Sequence, residues 1–352
     1  DPAPEPQLLV VDALDEAQDP VATPAPGALP TIVGLLARYA TRLPPWLKLL
    51  ATSRRRPDVL KPLRQSFGLK EIDAEEARNL ADLKTYAVAR CLQSPLREIL
   101  LQASLTPVEV GEFLSSEQQS SGKFLYVERV LKDLQTRILP LRSRADLEAL
   151  PPGLDGFYAE AFCRRFPREE DYGLVEPILA VLAEAKEPLG RKELAAILNC
   201  EEQEISDRLR PLRDLLRLRP TPIERDGITR QEMLHSFDHL SLQQWLTDVD
   251  VEELLPRAGR FSVHRQAGAE RIRTWALAEV SAGRAHTWPY LVRHLASHLS
   301  VDERAEVIGG QLVQFPWLQA RLRLAGLNAL LGDFDPNNYR PPILPPELKA
   351  LE

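Results

Sequence analysis

Carboxylates, hydroxyls and a guanidinium follow two short apolar runs near the start of the chain. Gln7-Leu8-Leu9-Val10-Val11 leads directly into Asp12, with Asp15 and Glu16 just beyond. Leu47-Lys48-Leu49-Leu50-Ala51 leads into Thr52, Ser53 and Arg54. An aspartate at a strand end suits magnesium, which keeps several waters and is held by one or two carboxylates plus phosphate oxygens. Hydroxyls and an arginine beside it would offer hydrogen bonds and positive charge to a phosphoryl group. Asp12 is therefore the candidate metal residue, acting through water, and Thr52, Ser53 and Arg54 are candidate phosphate contacts. The bland alternative is a strand with an acidic turn and a second strand with a solvated basic loop, to which Arg55 and Arg56 belong.

For that chemistry the two runs must be neighbouring strands. Four apolar residues in succession, two of them β-branched, predict a strand buried on both faces of a parallel sheet. Open α/β sheets bind ligands beyond the carboxyl ends of such strands. Residues 19–30, rich in Pro, Ala and Gly, predict a surface loop. Ile32, Leu35, Leu36, Tyr39 and Leu43 recur at helical spacing, Pro30 suits a helix start, and Pro44-Pro45 stops the helix. Strand, helix, strand in this order predicts a β-α-β unit with both carboxyl ends at one edge.

The 352 residues allow two or three domains. A net charge of -7 argues against a chain whose main task is wrapping nucleic acid. No apolar run reaches membrane-spanning length. Cys91, Cys163 and Cys200 have no metal-type spacing and read as small buried residues of a reduced, intracellular protein. The chain starts at Asp1 without a signal-peptide pattern and reads as a fragment or excised region.

Further along, Phe67 to Ile72 is strand-like, and Asp73-Ala-Glu-Glu76 predicts a capping box opening a helix to about Leu92. Ser121-Gly122-Lys123-Phe124 is not a phosphate loop, because Glu117 and Phe124 stand where Gly and Ser or Thr are needed. Phe124, Leu125, Val127, Val130, Leu131 and Leu134 instead predict a core-facing helix stripe. Helices over 174–185, 191–198 and 201–216, then two extended runs about Arg225-Asp226-Gly227, predict a winged helix. DNA binding is the function that fold suggests by itself. Acidic residues at the start of the third helix repel phosphate, and Pro211 interrupts it, so intramolecular packing is the preferred role. His235 and His239 could share a helix face and a metal, but lack a third ligand; His239 fits a helix start. His294 and His298 lack the Glu of a metalloprotease motif and predict helix packing. The chain beyond Gly268 reads as helical to about Leu331, with a capping box at Ser300 to Glu303 and a Pro-rich linker after it.

Taken in order, QLLVVDALDEA, LKLLATSRRRP, GKFLYVERVL, LPPGLDGFY, FDHLS, YLVRHLASHL and FPWLQARL resemble segments of NACHT-type NTPases. These are signal-transducing ATPases with numerous domains, related to AAA+ P-loop proteins; many members carry Gly where this chain has Ala13. The resemblance covers about residues 7 to 332. It implies a fold that is mostly α with an N-terminal α/β part: an NTPase sheet portion (1–73), a helical subdomain (74–171), a winged helix (172–265), a helical linker domain (266–334) and a Pro-rich linker (335–352). It implies that Asp12 is the Walker B aspartate holding Mg²⁺ through water, that Asp15 or Glu16 positions a hydrolytic water, that Arg54 is the sensor arginine reading the γ-phosphate, and that His239 reaches the β-phosphate of ADP. It further implies ATP/ADP as cofactor, a closed ADP state and an open, self-associating ATP state, an N-terminal effector, C-terminal WD-repeat sensors and a cytoplasmic location. The phosphate loop G-x-x-x-x-G-K-[S/T] is absent from these residues, so the ATPase expectation belongs to a longer parent chain. Two other classes stand beside it, a non-catalytic scaffold for protein assembly and a winged-helix DNA-binding regulator.

Overall fold

Two parallel strands, β1 (Gln7–Val11) and β2 (Leu47–Ala51), pair in register from Gln7 opposite Leu47 to Val11 opposite Ala51. They belong to the first of two compact units, residues 1–73, the second being residues 74–352. The computed structural model describes residues 5–17, 32–39, 42–54, 56–64, 77–225, 228–249, 256–310 and 313–333. The loop at 19–30, the strand-like run at 67–72, the capping box at Asp73 to Glu76, the turn at Asp226-Gly227 and the Pro-rich tail lie outside the described residues.

In the first unit, helices Ile32–Tyr39 and Pro57–Arg64 pack against each other. Leu14, Val33, Val59 and Leu63 form a small core, joined by Val11, Leu36 and Ala37. The expectation of a strand buried on both faces is not met. Leu8, Val10 and Leu50 alternate onto one face and are 62%, 55% and 51% exposed. Leu9, on the other face, is also exposed. A parallel strand of this composition needs a layer on each side, and the described residues supply part of one.

The second unit is almost all helix. Helices Ala77–Cys91 and Pro107–Ser115 pack closely at Gly111, where a Cβ would lie 2.5 Å from the Val88 side chain. The stripe expected after Gly122 forms the helix Phe124–Gln135, burying Tyr126, Val127, Val130, Leu131 and Leu134. Gly122 lies just before it at φ 65°, and Phe124 stays partly exposed while stacking on Tyr86. Gln119 Nε2 donates to the Leu150 and Pro151 carbonyls, at 3.0 and 3.2 Å, and Tyr126 donates to Pro151 at 2.8 Å. Those bonds fix the turn that opens the helix Gly153–Arg165.

Next come helix Glu176–Glu184, the short β3 (Leu189–Gly190), helices Arg191–Leu198 and Glu202–Leu209, and the hairpin strands β4 (Leu216–Arg225) and β5 (Ile228–Phe237). The sheet is antiparallel in the order β3-β5-β4. The helix expected over 201–216 ends at Leu209 and tightens into a 3-10 turn over Arg210–Leu212. Pro211 has no N–H to continue the helix, while Arg210 before it keeps helical backbone at φ -52° and ψ -41° as it enters the turn. Helices Leu240–Thr247, Arg265–Ser281, Pro289–His298, Val301–Gly310, Phe315–Ala325 and Leu327–Asp333 complete the unit. The capping box at Ser300 is present: Ser300 N–H donates to Glu303 at 2.9 Å, and Glu303 N–H to the Ser300 hydroxyl at 3.3 Å.

One continuous buried cluster runs from Leu83 to Trp317. Phe162, Phe166, Tyr172, Trp245 and Phe261 stack at centroid distances of 5.2 to 6.5 Å, joining helix Gly153–Arg165 to residues far along the chain. Helices Glu176–Glu184 and Arg265–Ser281 approach closest at Gly268, where a Cβ would sit 2.0 Å from the Ala180 carbonyl oxygen. The obstacle is backbone and cannot rotate away. Gly268→Ala should therefore cost about 1–3 kcal/mol in urea unfolding. Gly173, with nothing within 4 Å of such a Cβ, is the control, and Gly173→Ala should be neutral or gain up to about 1 kcal/mol. Equal stability of the two variants would refute the close approach.

No helix among the described residues is long and apolar enough to cross a membrane. None of the three cysteines forms a disulfide; Cys91 is buried, and desolvation pushes its thiol up to about 11. Cys200 is only partly buried and Cys163 is exposed, against the expectation that all three are buried. Cys163 falls on the solvent side of its helix, between buried Phe162 and intermediate Arg164.

Candidate functional site

At the carboxyl edge of β1 and β2, the chemistry-bearing residues bond to one another. Thr52 N–H donates to the Val11 carbonyl, and Leu14 N–H to the Thr52 carbonyl, both at 2.9 Å. The Thr52 hydroxyl donates to Asp12 and accepts from Ala13 N–H at 3.0 Å. Ala13 has φ 54°, a left-handed conformation that glycine adopts without strain. The turn after β1 is thereby locked to the end of β2.

Asp15 faces inward at 6% exposure. It accepts from Arg54 N–H at 3.0 Å and lies 3.5 Å from Arg54 Nε. Ser53 donates to the Arg54 carbonyl at 2.9 Å. Four sequence candidates, Asp12, Asp15, Thr52 and Arg54, are thus brought within bonding distance across 39 or 40 positions of chain. The 3-10 turn Leu14–Ala17 carries Glu16, whose side chain is outside the described residues.

Asp12 remains exposed, with one carboxylate oxygen taken by Thr52. That arrangement fits magnesium held through water by one carboxylate, and does not by itself make a protein cage. Among the described residues, no group of three or more His, Cys, Asp or Glu could hold a metal.

His239 lies in the second unit and does begin a helix. It is the N-cap of Leu240–Thr247, its ring Nδ1 accepting from Ser241 N–H at 3.0 Å. The Ser241 hydroxyl is 2.8 Å from Nδ1 and 2.8 Å from the Tyr158 hydroxyl. The preceding residue, Asp238, is bonded by Arg129, which also donates to the Asp214 carbonyl at 3.1 Å. Arg217 Nε lies 3.5 Å from the same carboxylate. Burial acts to raise the Asp238 carboxyl, but the Arg129 hydrogen bond and charge leave it below the usual carboxylate range. Sequence reasoning did not single out Arg129, Tyr158 or Ser241 as functional. Their signal is three-dimensional: helices Phe124–Gln135 and Gly153–Arg165 deliver Arg129 and Tyr158 to the start of the helix that carries Ser241.

The other singled-out histidines have structural surroundings. His235 is buried in β5 opposite Leu189 and Leu218, and burial lowers its pKa to about 4. His298 Nε2 is 2.7 Å from the Tyr290 hydroxyl, and His294 Nε2 is 3.3 Å from Glu187. On the helix Glu202–Leu209 and the turn after it, Arg208 pairs with Glu204 and Arg210 with Asp207. Much of the positive charge a phosphate backbone would need is neutralised there.

Over 222 residues the chain is 26% identical to the vegetative incompatibility protein HET-E-1 of Podospora anserina, an alignment covering 62% of this chain and 15% of that protein. The chain thus spans a small part of that relative's length. No family model matches. No solved structure matches.

Proposed function

We propose that this chain is the regulatory core of a nucleotide-switched, signal-transducing NTPase of the NACHT type. The observation that carries the reading is the carboxyl edge of β1 and β2, where Asp12, Thr52, Asp15 and Arg54 interlock. Support also comes from the order of the motifs along the chain and from the likeness to HET-E-1. In this reading ADP keeps the chain closed, and exchange for ATP opens it for self-association. A phosphate loop in the longer parent protein completes the site, with an effector and WD-repeat sensors as its further parts. Asp12 would hold magnesium through water, and the bound ion would polarise the phosphoryl oxygens. Arg54 would read the γ-phosphate on leaving Asp15, and Asp15 or Glu16 would then orient the hydrolytic water. His239 would donate to the β-phosphate.

The test is calorimetry of Mg-ADP with a polypeptide that joins this chain to a G-x-x-x-x-G-K-[S/T] loop from its parent. Binding is expected, and His239→Ala should weaken it about tenfold or more, the worth of one hydrogen bond to a charged oxygen. The same variant should raise the oligomeric fraction in light scattering. His239→Asn restores a capping side chain, so it should regain helix stability without regaining affinity. Loss of affinity in the alanine variant alone would reduce His239 to a cap.

The second reading, a non-catalytic scaffold, draws on the same bonds: Asp12 with Thr52 and Asp15 with Arg54 satisfy one another without a ligand. Absence of ADP binding in the joined polypeptide would favour it.

A further inference from the structure

His239 does not hold its ring by its own backbone alone. Nδ1 accepts from the Ser241 N–H at 3.0 Å, which requires its lone pair, and the Ser241 hydroxyl lies 2.8 Å from the same nitrogen. The hydroxyl in turn lies 2.8 Å from the phenol of Tyr158. One direction satisfies every atom. Tyr158 O–H donates to Ser241 Oγ, whose own hydrogen goes to Nδ1. A nitrogen that accepts from both cannot carry a proton, so the neutral ring keeps its hydrogen on Nε2.

We propose that Tyr158, acting through Ser241, is a positioning residue that fixes the tautomer and orientation of His239, so that Nε2–H is the donor offered to an anionic oxygen. The inference deepens the reading above and rests on it for the identity of that oxygen, the β-phosphate of a nucleoside diphosphate. Tyr158 suits the part. It is 1% exposed, packs on Trp245 at a centroid distance of 5.7 Å, and comes from a different segment of the unit. Burial raises its phenol pKa, which keeps the hydroxyl protonated and able to donate. Arg129 complements it by anchoring Asp238, one residue before the histidine. Helices Phe124–Gln135 and Gly153–Arg165 therefore decide where His239 sits and which nitrogen bears its proton. A displacement of either helix would reach the histidine directly.

The chain has six histidines, few enough for ring-nitrogen NMR of the whole chain labelled at histidine, at mildly alkaline pH. His239 should show one tautomer, protonated on Nε2. Ser241→Ala should bring in the Nδ1–H form, Tyr158→Phe should do so more weakly, and Ser241→Thr should restore the single form. Tyr158→Phe keeps the ring against Trp245, so a purely structural role would leave the His239 shifts unmoved. Mixed tautomers in the unaltered chain, or wild-type His239 shifts in Tyr158→Phe, would overturn the proposal. The measurement needs no nucleotide, so a fixed tautomer combined with no ADP binding by the joined polypeptide would sink the nucleotide reading and leave the relay standing.

Discussion

Asp333→Ala should lower the stability of the second unit by about 3–5 kcal/mol, the usual cost of stranding one member of a buried ion pair. Arg321 and Asp333 are 8% and 7% exposed and meet in a two-pronged contact of 2.7 and 2.8 Å. The same guanidinium donates to the Val292 and Arg293 carbonyls at 2.6 and 2.9 Å. It therefore ties three helices together, Pro289–His298, Phe315–Ala325 and Leu327–Asp333. Without Asp333 the charge stays buried with two of these four hydrogen bonds lost. The double change Arg321→Met with Asp333→Leu should recover most of the loss, because a packed apolar pair avoids the desolvation penalty. Urea unfolding of both variants decides the matter. A loss in the double variant as large as in Asp333→Ala would mean that the clamp acts through shape and not through charge.

Acid should weaken the second unit well before its carboxylates are protonated. His235 and His298 have their pKa values lowered from 6.5 to about 4, in both cases chiefly by burial. Arg191 adds to the effect at His235, and Lys186 and His294 add to it at His298. At His298 the neutral ring also has a use, since Nε2 can accept from the Tyr290 hydroxyl while that oxygen accepts from Lys186 N–H at 3.2 Å. Near pH 7 neither the folded nor the unfolded chain protonates these rings, and nothing is lost. Below 6.5 the unfolded chain takes up protons that the folded chain accepts only near 4, so stability falls through that window. Each ring should contribute up to about 3 kcal/mol of loss by its lower limit. His235→Leu should flatten this part of the curve, because neither nitrogen of His235 has a hydrogen-bond partner among the described residues and an apolar side chain can replace it. An unchanged slope in that variant would show that the ring is hydrated in the folded chain.

Several features of this protein follow from neighbours a few positions apart, and these were legible in the sequence. The helix Arg191–Leu198 has the expected bounds, Val127, Val130, Leu131 and Leu134 of the expected stripe are buried, the box at Ser300 closes, and His239 caps a helix. Periodicity and capping are set within one or two turns, so the local sequence contains their cause. The strand order at Asp12 and Thr52 was legible too, because an apolar run before a carboxylate and another before a hydroxyl point to one sheet edge. What the carboxylates do at that edge was not. Asp15 turns inward to Arg54, 39 positions away, and the Thr52 hydroxyl is spent on Asp12 and Ala13.

Tertiary structure alone decided three further matters: that Leu8, Val10 and Leu50 face outward, that one core runs through the whole second unit, and that Tyr158 reaches His239 through Ser241. Each depends on which surfaces meet after the elements have formed. An apolar residue records a preference for burial, but whether a second layer reaches it depends on packing. Tyr158 and Ser241 are 83 positions apart, and no pattern within either segment specifies that their hydroxyls meet.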